Sequence, residues 1–478
     1  MKNAISLFCS SGIGDLGLQA NGVKTVIANE LLPERARLFQ ANYPDCKVFP
    51  GDIWTLKEEI ISYYRSNYSE TPFLILATPP CQGMSSNGMG KMLNDYRKGL
   101  RPKFDERNRL ILPTLDIVAA LRPEWVIFEN VPNMQNTLIY DEGGNLVNII
   151  DYIFSRLGDA YVGKAEVVDV ADYGVPQNRK RLITIMSRTE KAKIYFAAHH
   201  SFIPDPTHGK EGTLFVQPWV TVRDAISDVP AIDGKNGKNA LPDFHPLHKV
   251  PLLDDKKYTW VSHTPEGETA FNNQCINPNC GYQGNQRHGA KRVSGINQAC
   301  NDTPLYCEKC GALLPRPYVE DKDGTLRLMK GFVSAYKRMR WDEPASTLTQ
   351  NFQFACSDNK LHPSQNRVLS IYEALILQSI TNYPYSFVVD SKMVSDGLIR
   401  DTIGESVPPL MIDKVIQKIL SFWKSNPNNT AFARLFFIAP TLLSKELLHI
   451  LPCVFRELQN IVHAAVHHAA DAFNRIQG

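Results

Sequence analysis

Pro79 and Pro80 hold Cys81 on a rigid turn that closes a short apolar run, with glycines and basic residues following it. A thiol so placed is a candidate thiolate nucleophile, although a lone cysteine is more often a small buried hydrophobe. Four more cysteines come in pairs, Cys275-x4-Cys280 and, after 26 residues, Cys307-x2-Cys310-Gly311. Pairs on glycine-containing turns match the knuckles of a zinc ribbon, in which four thiolates close a tetrahedral structural site. Cys300 lies between the pairs and is an alternative ligand, and the loop around it carries Arg287, His288, Lys291 and Arg292, a basic hairpin suited to a DNA groove. Near the start, Phe8-Cys9-Ser10-Ser11-Gly12-Ile13-Gly14-Asp15 is a run of small residues that lets a backbone turn pass close to a ligand at a helix start. Glu30 follows a second apolar run, where a carboxylate accepts hydrogen bonds from ribose hydroxyls, and Asp52-Ile53 follows a third at the spacing of an adenine-contacting loop. Together these point to an adenosyl group.

The elements that must position these residues alternate. Ala4–Phe8, Thr25–Ala28, Lys47–Phe49, Phe73–Ala77, Trp125–Glu129, Val162–Val168 and Leu182–Ile185 read as strands, and Pro33–Tyr43, Leu56–Tyr64, Arg109–Leu121 and Leu146–Leu157 as helices between them. Such βα repetition predicts an α/β fold, a mainly parallel sheet covered on both faces, with ligands beyond the carboxyl ends of the strands. Past Thr189 the periodicity fails, and Ala197–Gly331 is broken by Pro, Gly, Asn and Asp into short pieces, as in a separate domain. Helical patterns return at Ser370–Ser379 and Met411–Trp423; residues 424–429 resemble a linker, and Ala431–Gln477 is again amphipathic. His463 and His467 are spaced like metal ligands, but no third ligand accompanies them, so an ordinary amphipathic helix is expected.

A chain of 478 residues predicts two to four domains, at roughly 100–200 residues each. With 43% hydrophobic and 21% charged residues it is a globular protein with a large core, which excludes a disulfide miniprotein or a mainly disordered chain. No apolar run approaches the roughly 20 residues that span a bilayer, and Met1 to Cys9 is too short for a signal-peptide core. Ten cysteines without a secretion signal predict reduced thiols and a cytoplasmic location. A net charge of +3 does not by itself imply nucleic acid.

Further blocks join these motifs in a fixed order. Pro80-Cys81-Gln82 is followed by Asp105-Glu106-Arg107-Asn108-Arg109-Leu110, Glu129-Asn130-Val131 and Gln177-Asn178-Arg179-Lys180-Arg181. Then come Trp341-Asp342-Glu343-Pro344, His362-Pro363, Arg367-Val368-Leu369-Ser370 with Glu373 to Gln378, and Gly404-Glu405-Ser406-Val407-Pro408-Pro409. Over about residues 4–188 and 336–424 the chain resembles the DNA cytosine-5 methyltransferase family, in its bacterial modification form. It departs from that pattern twice: Phe8-Cys9-Ser10-Ser11-Gly12-Ile13 stands for Phe-x-Gly-x-Gly-Gly, and Glu405 stands for Asn in the late Gly-Asn-Ser-Val block.

The resemblance implies a Rossmann-like S-adenosylmethionine-dependent methyltransferase sheet in residues 1–190, completed by 400–424. It also implies an irregular target-recognition domain over 191–399, in which the cysteine spacing places the zinc module at 275–310, while the amphipathic pattern past the linker makes 425–478 a helical extension. It makes Cys81 the nucleophile on cytosine carbon 6, Glu129 the acid at ring nitrogen 3, Asn130 its orienting neighbour, and Arg179 and Arg181 holders of the base carbonyl and a phosphate. Cofactor contacts fall to Phe8, Gly12, Gly14, Glu30, Leu31, Asp52, Ile53, Pro79 and Ser406. Because the carbon is inaccessible in a stacked duplex, the cytosine must be flipped out, and Gln82 to Lys103, rich in glycine and cations, is the expected lid. The implied partners are double-stranded DNA and a cognate restriction endonuclease; the metal expected is one structural Zn²⁺. A tRNA substrate, and a non-catalytic zinc-stabilised DNA-binding protein, are the alternatives.

Overall fold

The computed structural model describes residues 2–424 except 81–83, 85–104, 294–295, 300–301, 331–333 and 357–358, and gives the backbone alone at 290–293, 296–299 and 423–424. Cys81, all of the expected lid but Met84, Cys300 and the segment after Lys424 therefore lie outside the described residues.

Seven strands form the central sheet: β1 (Lys2–Leu7), β2 (Val23–Glu30), β3 (Lys47–Pro50), β4 (Leu74–Ala77), β5 (Trp125–Asn130), β6 (Val162–Asp169) and β7 (Lys180–Ser187). Their spatial order is β3-β2-β1-β4-β5-β7-β6. The first five strands run parallel, and β7 is antiparallel to both β5 and β6. Every residue of β4 and β5 is buried, as continuous apolar strands in a sheet covered on both faces require. On one face, α3 (Ile53–Asn67), α4 (Ile111–Leu121) and α5 (Ile149–Leu157) share a core with Ile75, Val126 and Phe128. On the other, residues of α1 (Leu16–Ala20) and α2 (Pro33–Asn42) join a core that continues into the second half of the chain.

Each expected strand is present; the first starts two residues early and ends at Leu7 rather than Phe8, the fourth starts at Leu74 rather than Phe73, and the others are extended by one to a few residues. The helix expected over Arg109–Leu121 begins as a 3-10 turn, Glu106–Leu110, before α4, and the one expected over Leu146–Leu157 starts with a short strand, Leu146–Asn148, because Asn148 caps α5. Sequence periodicity missed α6 (Glu190–His199), which has no marked apolar face; just beyond it Phe202 packs edge-on against Trp125 of β5. Helical structure in the first region thus runs past residue 190.

Between Phe202 and Ser370 regular elements are short, and hairpins such as Tyr318–Glu320 with Leu326–Leu328 alternate with loops. Buried loop carbonyls need donors, and fully or nearly buried arginines supply them. Arg338 donates to the carbonyls of Thr264, His362 and Val261 at 2.7, 2.7 and 2.9 Å, and Arg316 to those of Asn273 and Pro304 at 2.8 and 2.7 Å. Arg367 meets buried Glu373 in a two-pronged pair, 2.7 Å at each prong. Glu373 also closes a capping box with Ser370 at the start of α7 (Ile371–Leu377). The chain then returns through α8 (Asp396–Glu405) and α9 (Pro409–Lys424) to the first region, where Asn21 beside α1 donates to Asp413 at 2.7 Å. No helix among the described residues is long and apolar enough to cross a membrane.

Candidate active site

A cavity of about 1220 Å³ opens beyond the carboxyl ends of β1, β2, β4 and β5, at the point where the strand order reverses between β1 and β4. It exceeds the roughly 300–1,000 Å³ of a pocket for one small molecule. Three turns from the first half of the chain form one wall. After β1, Phe8 and Ser10 take left-handed backbone angles, φ 59° and 49°, rare for side chains of their kind and typical of a turn held under strain at a ligand site. Gly12, φ 83°, has no room for a side chain, because a Cβ would come within 2.5 Å of the Tyr43 ring. Gly14 also borders the cavity but has open space around it. Asp15, buried, accepts hydroxyls from Ser6 and Thr25 at 3.0 and 2.8 Å, and burial pushes its carboxyl up to about 6.

Glu30 ends β2 with both carboxylate oxygens in use, accepting the backbone N–H of Ser10 and of Leu32 at 2.9 Å each. Burial raises its carboxyl, while those donors and Arg35 pull it down. Leu31, 61% exposed, and buried Ile53 both border the cavity, presenting apolar surface to a flat ligand. Between them Asp52 caps α3 by accepting the N–H of Trp54 at 3.0 Å.

The second wall carries the acid. Glu129 is buried at the end of β5, and Arg181 Nε lies 2.8 Å from its carboxylate. Antiparallel pairing explains the contact: Glu129 faces Ile183, so Arg181, two residues away on β7, projects from the same face as its diagonal neighbour. Burial pushes the Glu129 carboxyl above its usual range against the pull of Arg181 and then Arg179. Asn130 turns its amide to the carbonyl of Pro79 at 2.9 Å, while its own oxygen accepts the N–H of Val131 at 2.8 Å. Asn130 thus fastens the backbone two residues ahead of Cys81 rather than bonding Glu129.

Arg179 differs from its neighbour. Its guanidinium, 1% exposed, donates to the carbonyls of Leu348, Gly404 and Ser406 at 2.7, 2.8 and 2.9 Å. These bonds pull two distant segments, 347–351 and 404–406, onto the cavity rim. Gln177 and Gln378 continue the seam: Leu348 donates its N–H to Gln177 Oε1 at 2.8 Å, Gln177 Nε2 donates to Gln378 Oε1 at 2.7 Å, and Gln378 Nε2 donates to Ser406 at 2.9 Å. The Ser406 hydroxyl, expected to face the cofactor, also donates to Ile403 at 2.9 Å and so is occupied within the protein. Gly404 is required here because a Cβ would collide with the backbone of Gln350. Sequence reasoning missed Arg35, Arg107 and Thr347–Asn351 as cavity residues; the place of 347–351 after Trp341-Asp342-Glu343-Pro344 was the available signal.

Farther along the chain, Cys275, Cys280, Cys307 and Cys310 bring their sulfurs within 4.8 Å of one another. Cys275 and Cys310 Sγ are 3.7 Å apart and Cys280 and Cys307 Sγ 3.9 Å, close to the edge of about 3.8 Å expected for a tetrahedron with metal–sulfur bonds of about 2.3 Å. Gly281 and Gly311, φ 53° and 71°, turn each knuckle. Between them Ala290–Val293 and Ile296–Ala299 form the expected hairpin. His288 does not serve it: the imidazole is buried, stacked on Phe271 and bonded to Thr303 at 2.8 Å, because the start of the loop folds into the core. Arg287 pairs with Glu268 at 3.2 Å.

A ligand crevice at the reversal point of a mainly parallel sheet, with a carboxylate closing β2, is the arrangement of an α/β enzyme that binds a nucleotide-like cofactor. A family model for C-5 cytosine-specific DNA methylases matches residues 2–421, and the chain belongs to that family. It is 29% identical over 432 residues to the type II methyltransferase M1.HgaI of Avibacterium volantium, covering 87% of this chain and 98% of that protein. It is 25% identical over 427 residues to the type II methyltransferase M1.HphI of Haemophilus parahaemolyticus, covering 89% and 87%. Among solved structures it shares its fold with a protein described as an E. coli prophage-encoded DNA modification methyltransferase, at TM-score 0.53 and 18% identity, covering 89% of this chain and all of that one.

Proposed function

We propose that the chain methylates carbon 5 of a cytosine flipped out of a specific DNA sequence, with Cys81 as nucleophile, and that it is the modification partner of a restriction endonuclease acting on the same sequence in the cytoplasm. Membership of a family of DNA methylases favours this reading over a tRNA substrate or a non-catalytic scaffold. The observation that carries the chemistry is the buried Glu129 carboxyl, raised by burial and oriented by Arg181 beside the Pro79-Pro80 turn that precedes Cys81. S-adenosylmethionine would lie against Phe8, Gly12, Gly14, Glu30, Pro79 and the 404–406 turn, its adenine between Leu31 and Ile53 near Asp52, and it supplies the methyl group. The cavity has room for it and a base together.

Carbon 5 of cytosine is a weak nucleophile. Addition of the Cys81 thiolate to carbon 6 moves electron density to carbon 5, and a proton held by Glu129 at ring nitrogen 3 neutralises the charge that develops there. After carbon 5 takes the methyl group, the proton on ring nitrogen 3 returns to Glu129, the carbon 5 proton is taken by water, and the carbon–sulfur bond breaks to release the Cys81 thiolate. Arg181 holds Glu129 and faces the base carbonyl; Arg179 acts through backbone, fixing the rim. In this reading residues 1–190 with 400–424 carry the reaction and 191–399 read the target, with the four thiolates holding one Zn²⁺ that braces the hairpin between the knuckles. Bisulfite sequencing of DNA from expressing cells tests the reading. Protected cytosines in one sequence context are expected; their absence in every context, or equal covalent trapping of wild type and Cys81→Ser by 5-fluorocytosine DNA, overturns it.

A further inference from the structure

The 404–406 turn is fastened to the cavity from two sides by different means. On its inner side the bonds are to backbone and serine: Arg179 takes the carbonyls of Gly404 and Ser406, and Gln378 takes Ser406. On its outer side stands an ion pair, Arg35 Nη1 to Glu405 Oε2 at 2.6 Å, joining the first turn of α2 to the last residue of α8 across 370 positions of sequence. Both side chains border the cavity, and they are only 13% and 33% exposed. Glu30, five residues before Arg35, holds the N–H groups of Ser10 and Leu32, and the Arg35 charge acts on its carboxylate, so the pair stands near the group that fixes the turn after β1. Arg35 Nε is buried without an acceptor among the described residues, and Nη1 is held by Glu405. Glu405 occupies the place where the resembling family has Asn.

Resting on the reading that S-adenosylmethionine binds in this cavity, we propose that Arg35 and Glu405 are a positioning pair for the cofactor, holding the 404–406 turn against α2 so that the cofactor end of the cavity keeps its binding shape. A neutral amide at position 405 accepts a hydrogen bond from Arg35 but offers no charge, and the turn then opens more readily. An isolated Glu405 carboxylate, with Arg35 removed, leaves an unpaired anion at a half-buried rim, which is also unfavourable. The two residues therefore act as a unit, and their effects do not add. Because the pair is partly exposed, salt weakens it, which the backbone bonds of Arg179 on the other side of the turn do not share.

The test uses the purified full chain and S-adenosylhomocysteine as the probe, followed by titration calorimetry. Glu405→Gln and Arg35→Met should each weaken binding about tenfold, as expected for loss of a charged hydrogen bond worth about 1.4 kcal/mol. The double variant should bind no worse than either single one, and raising salt from about 50 to about 500 mM should weaken wild type more than the variants. Binding within twofold of wild type in both single variants, even with a lowered melting temperature, would make the pair merely structural and overturn the proposal; additive losses overturn the pairing. Glu30→Ala separates this from the reading beneath it. If that variant loses the probe while the pair variants keep it, the pair alone is refuted; if wild type does not bind the probe, or Glu30→Ala binds it as well as wild type, the cofactor site itself is wrong.

Discussion

In the proposed reaction Glu129 has to carry a proton at pH values where an ordinary carboxyl has lost it, and its place at the end of β5 shows how it could. Burial favours the neutral acid, and the Arg181 guanidinium 2.8 Å away opposes burial without overcoming it. The protonated fraction therefore persists above the usual carboxylate range and falls as pH rises through the raised value. Methyl transfer in a single turnover should decline along that limb. Glu129→Gln should lower the rate by on the order of 10²–10⁴, remove the limb, and leave S-adenosylhomocysteine binding within about twofold. Rates that keep the wild-type pH profile in Glu129→Gln would assign the proton to another group. Arg179 makes the contrasting case, since its guanidinium serves carbonyls. Arg179→Leu takes this donor from the Leu348 and Gly404 carbonyls and leaves Ser406 with Gln378 alone; it should lower stability by about 2–3 kcal/mol, read from the urea midpoint, whereas a contact to substrate alone would leave the midpoint unchanged.

The element that begins at Ser370 shows how an irregular region is locked. Helix α7 starts on a capping box, and the same Glu373 that closes the box takes both prongs of Arg367. Buried His362 accepts the N–H groups of Ser364 and Gln365 on Nδ1, at 3.3 and 3.0 Å, so its uncharged form is the one the fold holds. Burial would raise Glu373, but Arg367 brings its carboxyl down to about 2, and burial followed by Arg367 brings the His362 imidazole down to about 3. Both folded values lie below the ordinary ones of 4.5 and 6.5, so the unfolded chain takes up protons first and stability is lost as pH falls. The histidine contribution disappears from about pH 6.5 toward 3 and the glutamate contribution from about 4.5 toward 2, at a slope of up to about 1.4 kcal/mol per pH unit for each group. Urea midpoints measured from pH 7 to pH 4 should fall for wild type and flatten in His362→Phe above pH 5. An unchanged slope in that variant would place the acid sensitivity elsewhere.

At the scale of the whole molecule the two regions of the proposed division of labour are held by different stabilising forces. The sheet rests on two continuous apolar cores, while among the described residues the cysteine segment contributes a small cluster of Cys275, Cys307 and Leu314 with Cys280 and Tyr282. Holding the proposed Zn²⁺, such a module would depend on it to fold. Cys307→Ser, or a strong chelator, should release zinc and lower DNA affinity while S-adenosylhomocysteine still binds with wild-type affinity. Full zinc content in Cys307→Ser would refute the ligand set, and loss of cofactor binding with DNA binding intact would refute the division of labour.

Much of this was legible in the amino-acid order because it depends on local rules. Apolar runs mark β4 and the start of β5, Gly12 marks a turn that only glycine enters without a clash, and cysteine pairs on glycine turns announce their knuckles. Motif order gave the family, since Glu129-Asn130-Val131 and Gln177 to Arg181 follow the Pro-Cys-Gln turn at the ends of successive elements. What tertiary structure alone decided are contacts between residues far apart in sequence. Arg179 and Arg181 alternate on one extended segment and read as equivalent, yet antiparallel pairing of β7 with β5 delivers Arg181 to Glu129, while packing of 347–351 and 404–406 consumes Arg179. His288 reads as a basic loop residue until the chain folds it onto Phe271. Glu405 reads as a departure from a pattern until Arg35, 370 residues earlier, is found beside it. A side chain's type and local backbone are written in its neighbours along the chain, but its partner is chosen by which distant segments the cores bring together.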